Sequence, residues 1–204
     1  MASICLKSPG RCKMPFEFVP LAISDLILIK PRAFPDERGF FLETYKESDF
    51  RQNGIDVQFK QSNHSCSAAQ VLRGLHYQLP PFEQGKLVRV VSGMVWDVAV
   101  DMRPDSATFG KWIGVELSGE NHHLFWIPGG FAHGFVALTE NVHLEYQCTN
   151  EFRKDAEGGV RWDDPELGIK WPRQDILVSD KDVILPLFQN ATPFPKGYVF
   201  GGKS

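Results

Sequence analysis

Four side chains are of types that could move protons within one site: His76 in R-G-L-H-Y-Q, Lys86 in Q-G-K-L-V-R, His133 in P-G-G-F-A-H-G-F and Tyr146 in L-E-Y-Q-C-T-N. An imidazole, with a reference pKa of ~6.5, takes and returns protons near neutrality. A phenol can donate one, and an ammonium can hold a developing oxyanion. Taken singly, each has an ordinary explanation. A strand histidine is usually a satisfied structural residue, a lysine among apolar neighbours snorkels to the surface, and a strand tyrosine belongs to the core. Gathered in one cavity, they form an acid–base set with an electrophile.

The spacing sets one condition. Arg73 and His76 are three apart, so a regular strand would send them to opposite faces. Both reach one cavity only if the chain is irregular between them, and Gly74 is the expected bulge. The segment QSNHSCS at 61–67 is polar at almost every position, although it lies between strand-like runs. It reads equally as an exposed edge strand or as the lining of a wet cavity. P-G-G-F-A-H-G-F resembles the second metal-binding box of cupins, but the companion box would need a cluster such as H-x-H with a glutamate. Here only His76 is present, with Glu83 seven positions on, so no transition-metal set is expected.

The elements that must position these groups read as β. Strands are expected at 19–31, 40–45, 71–78, 86–101, 112–117, 123–128, 134–138 and 142–148, with turn residues about every ten positions. The P-D-E-R-G string at 35–39 is a turn, and 46–54 is a short helix closed by Gly54. Gly93 marks a hairpin or bend, and Val88, Val90, Met94, Trp96, Val98 and Val100 are expected to share one face. The expected fold is all-β, a cupin-type jelly-roll barrel with short peripheral helices. One domain is expected over 19–188, preceded by an extension (1–18) and followed by a loosely held tail (189–204).

Composition narrows the function classes. The net charge of −3 gives no basic field for nucleic acid, and no apolar run approaches the ~20 residues of a membrane helix. Residues 1–14 lack the apolar centre of a signal peptide. Cys5, Cys12, Cys66 and Cys148 show neither metal nor disulfide spacing, so free thiols and a cytoplasmic location are expected.

Seven strings carry a resemblance: F-P-D-E-R-G-F-F-L-E-T-Y, V-L-R-G-L-H-Y-Q, Q-G-K-L-V-R-V, D-V-A-V-D-M-R, S-A-T-F-G-K-W, W-I-P-G-G-F-A-H-G-F and W-D-D-P-E-L-G-I-K-W-P. In this order, between about Val19 and Leu187, they resemble the dTDP-4-dehydrorhamnose 3,5-epimerases. The resemblance implies a homodimer without metal or other cofactor. It also implies inversion of carbons 3 and 5 of dTDP-4-dehydro-6-deoxy-D-glucose through an enolate of the carbon 4 ketone. It assigns the base to His76, its carboxylate partner to Asp182, the acid to Tyr146 and the group at the carbon 4 oxygen to Lys86. Arg73 and Lys181 are expected near the nucleotide and its phosphates, and Arg38, Glu43, Gln61, Ser62, Asn63, His133 and Glu157 elsewhere along the site. On this reading the polar segment lines the cavity, and Gly74 brings Arg73 and His76 together. Glu151 and Phe152 replace an aromatic pair often found after T-N. The alternatives are a single-centre epimerase of a related sugar and a non-catalytic sugar-nucleotide binder.

Overall fold

In the computed structural model, residues 15–201 are described. The strands are β1 (Phe16–Pro20), β2 (Ile27–Pro31), β3 (Phe34–Asp36), β4 (Gly39–Phe41), β5 (Gln61–Ser67), β6 (Val71–Gln78) and β7 (Lys86–Ser92). They continue with β8 (Met94–Asp101), β9 (Trp112–Ser118), β10 (Leu124–Ile127), β11 (Phe131–Ala137), β12 (Val142–Cys148), β13 (Glu157–Gly159) and β14 (Leu177–Val178). The helices are short: α1 (Glu47–Gln52) and α2 (Asp180–Val183). Among the described residues no helix is long and apolar enough to cross a membrane.

One sheet runs β1-β2-β10-β7-β12-β5, and a second runs β13-β6-β11-β8-β9, with β14 alongside β6. They pack face to face as a jelly roll. The inner layer joins Val88, Val90, Phe125, Ile127, Val142 and Leu144 of the first sheet to Val95, Ala99, Val115, Leu117, Phe131 and Phe135 of the second. Each such fully buried aliphatic or aromatic side chain contributes roughly 1.5–3 kcal/mol. The expected barrel does not close: β5 and β1 end one sheet, and β13 and β9 the other, with no pairing across among the described residues.

The single face expected for residues 88–100 is corrected by Gly93. It sits at φ +82 and carries the chain from the first sheet into the second. That corner shifts the alternation by one. Val88 and Val90 face inward, but beyond the corner Val95 and Ala99 do so, while Val98 and Val100 join a separate outer cluster. The outer face is covered by residues from 160 onward, including Val160, Leu167, Phe188 and Phe194, so β8 is apolar on both sides.

The ends and one hairpin also differ from expectation. β1 begins at Phe16, inside the stretch read as an extension, because Phe16 is buried against Phe50. The tail is anchored: Phe194 is buried, and Tyr77 Oη donates to the Thr192 carbonyl at 2.6 Å. The second expected strand, 40–45, shortens to a β3–β4 hairpin that leaves Phe40 60% and Phe41 65% exposed. Cys5 and Cys12 lie outside the described residues.

Candidate active site

A cavity of about 340 Å³ opens between the sheets, lined by Ser65, Arg73, His76, Lys86, His133, Phe135, Tyr146, Ser179, Lys181 and Asp182. Its two walls have different origins. His76 and His133 come from β6 and β11 of one sheet, while Lys86 and Tyr146 come from β7 and β12 of the other.

The bulge expected at Gly74 is present. β11 residues His133 and Phe135 pair with His76 and Arg73, so the one residue between them, Gly134, faces two on β6, Gly74 and Leu75. Gly74 takes φ +129, and a Cβ there would stand 2.5 Å from the Gly134 Cα, so only glycine fits. The extra residue returns Arg73 to the face of His76. Arg73 is held by Ser67 Oγ, which accepts from its Nε at 3.1 Å.

His76 Nε2 meets Asp182 Oδ1 at 2.6 Å, and the backbone N–H of Gly74 donates to Asp182 Oδ2 at 3.2 Å. Asp182 comes from α2, where the N-cap Ser179 accepts from the Asp182 N–H. Burial acts to raise the Asp182 carboxyl. The bond and charge of His76, with the Gly74 and Ser179 bonds, prevail and hold it below the ordinary carboxylate range. With Nε2 committed to an ionised carboxylate, Nδ1 is the nitrogen left to take a proton.

Lys86 is buried, and burial pushes its ammonium below the usual lysine range, opposed by the charges of Cys148, Asp97 and Glu157. Its only side-chain hydrogen bond among the described residues is to the His76 carbonyl, at 3.4 Å. Burial raises the Tyr146 phenol, which therefore stays protonated at neutral pH. His133 is driven down by burial, against the pull of Asp97, and remains neutral. Its Nε2 lies 2.9 and 3.0 Å from the two oxygens of Asp97.

Asp97 is fully buried and was not singled out from sequence, because the expected alternation of β8 set it on the face opposite the shared apolar set. The available signal was an acid alone in the apolar run V-W-D-V-A-V. Ser65 was also missed. In β5, Gln61, Asn63 and Ser65 pair with Cys148, Tyr146 and Leu144 and share their inward face. Ser62 pairs with Gln147, is exposed, and lies on the opposite face, so its expected place in the cavity is corrected by simple alternation. β5 is thus both an exposed edge and a cavity lining. Gln61 donates to Asn63 Oδ1 at 2.9 Å, and its Oε1 accepts from the Phe152 N–H at 2.7 Å.

Glu157 joins the rim, where Lys181 Nζ donates to it at 2.5 Å. Arg38 and Glu43 are not brought to the cavity of their own chain. Arg38 lies in the β3–β4 turn with its side chain 84% exposed, bonded to Asp36. The flanking Phe40, Phe41, Leu42 and Thr44 pack over the outer face of the first sheet near Arg89 and Val91. The hairpin therefore stands on the far side of the sheet from Tyr146. Among the described residues no three His, Cys, Asp or Glu side chains converge as ligands of a metal ion.

Residues 20–190 match the family of dTDP-4-dehydrorhamnose 3,5-epimerases. The chain is 51% identical to the enzyme of that name from Pseudomonas aeruginosa over 177 residues, which cover 86% of this chain and 97% of the relative. It is 50% identical to the Shigella flexneri enzyme of the same name over 84% of this chain and 96% of the relative. The fold is similar, with a TM-score of 0.83 and 44% identity, to a dTDP-6-deoxy-D-glucose-3,5-epimerase from Legionella pneumophila in complex with dTDP-4-keto-L-rhamnose. That similarity covers 86% of this chain and 94% of the other.

Proposed function

This chain belongs to the dTDP-4-dehydrorhamnose 3,5-epimerase family, and we propose from that premise how its residues carry the reaction. It inverts carbons 3 and 5 of dTDP-4-dehydro-6-deoxy-D-glucose to give dTDP-4-dehydro-L-rhamnose. His76 Nδ1 removes the carbon 3 proton, and the electron pair of the C–H bond moves into an enolate on the carbon 4 oxygen. Asp182 steadies the imidazolium, and the Lys86 ammonium faces the enolate oxygen. Tyr146 then gives its proton to carbon 3 from the other face, recovering one from water as His76 releases its own. The same cycle at carbon 5 completes the inversion. One observation supports this reading above the others: base and acid enter one cavity from opposite sheets. A binding protein needs no such opposition.

The test is the product. After incubation with the 4-keto sugar nucleotide and borohydride reduction, NMR should identify L-rhamnose-type stereochemistry; sugars epimerised at one carbon, or at none, would reject the assignment.

Tyr146→Phe separates the two halves of the mechanism. Proton removal does not need the phenol, so hydrogen exchange with solvent should persist within about tenfold of wild type, while net inversion falls on the order of 10²-fold. Wild-type inversion by this variant would refute the acid's identity.

The alkaline limb of kcat should belong to Lys86. Catalysis needs its charged form; burial lowers the pH at which that form is lost, whereas burial raises Tyr146. Activity should therefore decline with rising pH before the ordinary lysine pKa of ~10.4 is reached. Lys86→Arg, whose guanidinium stays charged, should lose this limb in whatever activity it retains. An unchanged limb would assign it elsewhere.

The proposal includes a homodimer in which Arg38 and Glu43 serve the partner's cavity. The exposed hairpin carrying Arg38, far from its own Tyr146, supports this reading. Arg38→Ala and His76→Ala proteins, refolded together in equal amounts, should recover about a quarter of wild-type activity, since half the dimers are mixed and each has one intact site. No recovery would place Arg38 in its own chain's site. A cytoplasmic setting fits Cys66 and Cys148, which are free thiols.

A further inference from the structure

The segment after Asn190 lies beyond the family match, which ends at residue 190. It is nevertheless tied into the sandwich. The Phe194 N–H donates to the Met102 carbonyl at 3.2 Å, and the Gly197 N–H to Asp105 Oδ2 at 2.7 Å. The Phe194 ring lies 4.8 Å from Tyr198 and 5.7 Å from Tyr77, and the Phe200 ring 6.0 Å from Trp126.

Phe200 has the most consequential neighbours. A Cβ on Gly85 would stand 2.8 Å from Phe200 Cζ and 2.8 Å from Trp126 Cη2. On Gly129 it would stand 2.5 Å from Phe200 Cδ2 and 2.6 Å from the Tyr198 hydroxyl. One ring therefore fills the space above two bare stretches of backbone. The first immediately precedes Lys86; the second leads into β11, which carries His133.

Thr149 holds the same glycine, for a Cβ there would also stand 3.2 Å from Thr149 Cγ2. The Gly85 N–H donates to Thr149 Oγ1 at 2.8 Å, and the Thr149 N–H donates to the Gly85 carbonyl at 3.0 Å. The Lys86 ammonium makes one long hydrogen bond among the described residues, while its backbone is paired to Ile127 and Cys148. The accuracy with which that ammonium meets the carbon 4 oxygen must then come from the backbone at residues 85–86. A displacement of about 1 Å in such a group can cost on the order of 10²-fold in rate.

We infer that Phe200 is a positioning residue for Lys86, packed with Trp126 and Thr149 about the backbone at Gly85. The inference rests on the role of Lys86 given above. In the full-length chain, Phe200→Ala opens this packing, and Phe200→Leu largely refills it.

Two readouts are needed. For turnover, Phe200→Ala should lower kcat about tenfold with KM within about twofold, and Phe200→Leu should return kcat to within about threefold of wild type. Assays are run well below each variant's melting temperature, so that unfolding does not enter. Independently of turnover, Lys86 is labelled with acetic anhydride without substrate and its peptide followed by mass spectrometry. The rate should rise several-fold in Phe200→Ala and fall back in Phe200→Leu. This second readout works even if the reaction assignment fails, so the two failures can be told apart. If the alanine variant does not fold, the leucine variant must show a measurable kcat loss at unchanged KM together with faster labelling. Wild-type kcat in the variant under test, or an unchanged Lys86 labelling rate, overturns the inference: Phe200 would then only staple the tail.

Discussion

His76→Ala should lose on the order of 10⁴-fold in turnover, about 5 kcal/mol of transition-state stabilisation, with little change in KM. The size follows from the geometry. His76 is the imidazole with one nitrogen bound to an ionised carboxylate and the other free, and Asp182 is itself fixed by the Gly74 N–H and the α2 cap. His133 pairs its Nε2 with Asp97 in the same way, but it is buried, and burial pushes its imidazole down, which leaves it the weaker base. The alanine variant should fold. His76 is only half-buried, and the Gly74 bulge that shapes the strand does not depend on its side chain. Steady-state kcat and KM on the 4-keto sugar nucleotide check this, with thermal melting as the control. A loss smaller than about tenfold would mean that another group removes the proton.

Lys86→Met should lower kcat by 10²- to 10³-fold, roughly 2.7–4 kcal/mol, which is the cost of removing one preorganised oxyanion donor. Methionine keeps most of the buried stem, so packing around Val88 and Tyr146 is retained. Stability should move the opposite way. A lysine whose ammonium is pushed down by burial is a desolvated charge, and replacing it with an apolar side chain removes that penalty. The expected result is a nearly inactive protein that melts no lower than wild type. Loss of activity together with a lower Tm would instead point to a structural role.

How much of this could be read beforehand depended on the range of the signal. His76, Lys86 and Tyr146 stand in strands with local alternation, and the three-residue gap from Arg73 to His76 demanded the bulge that Gly74 supplies. Asp182 could be assigned only through the resemblance, since nothing near residue 182 indicates a partner 106 positions away. Ser62 came from the resemblance, and its alternation with Gln61 and Asn63 sets it on the opposite face; Asp97 was missed for a different reason. Alternation tells which residues share a face, but not which face is inward, and Gly93 shifts the phase by one residue without interrupting the apolar run. Arg38 lies in the β3–β4 hairpin and Glu43 just after it, and where this stretch falls relative to the cavity depends on the fold. The tail looked loose because its rings pair with absent side chains: Gly85 and Gly129 leave room for Phe200, and such complementarity has no local pattern. The barrel's failure to close is likewise a matter of sheet edges, which strand strings do not record.

The central claim is that one base and one acid, on opposite walls, exchange protons at two carbons. It is tested most directly by running the wild-type reaction in D₂O and following deuterium at carbons 3 and 5 separately by NMR. The account predicts label at both carbons, nearly abolished in His76→Ala and retained in Tyr146→Phe. Label at one carbon only, or label that persists at both in His76→Ala, would contradict it.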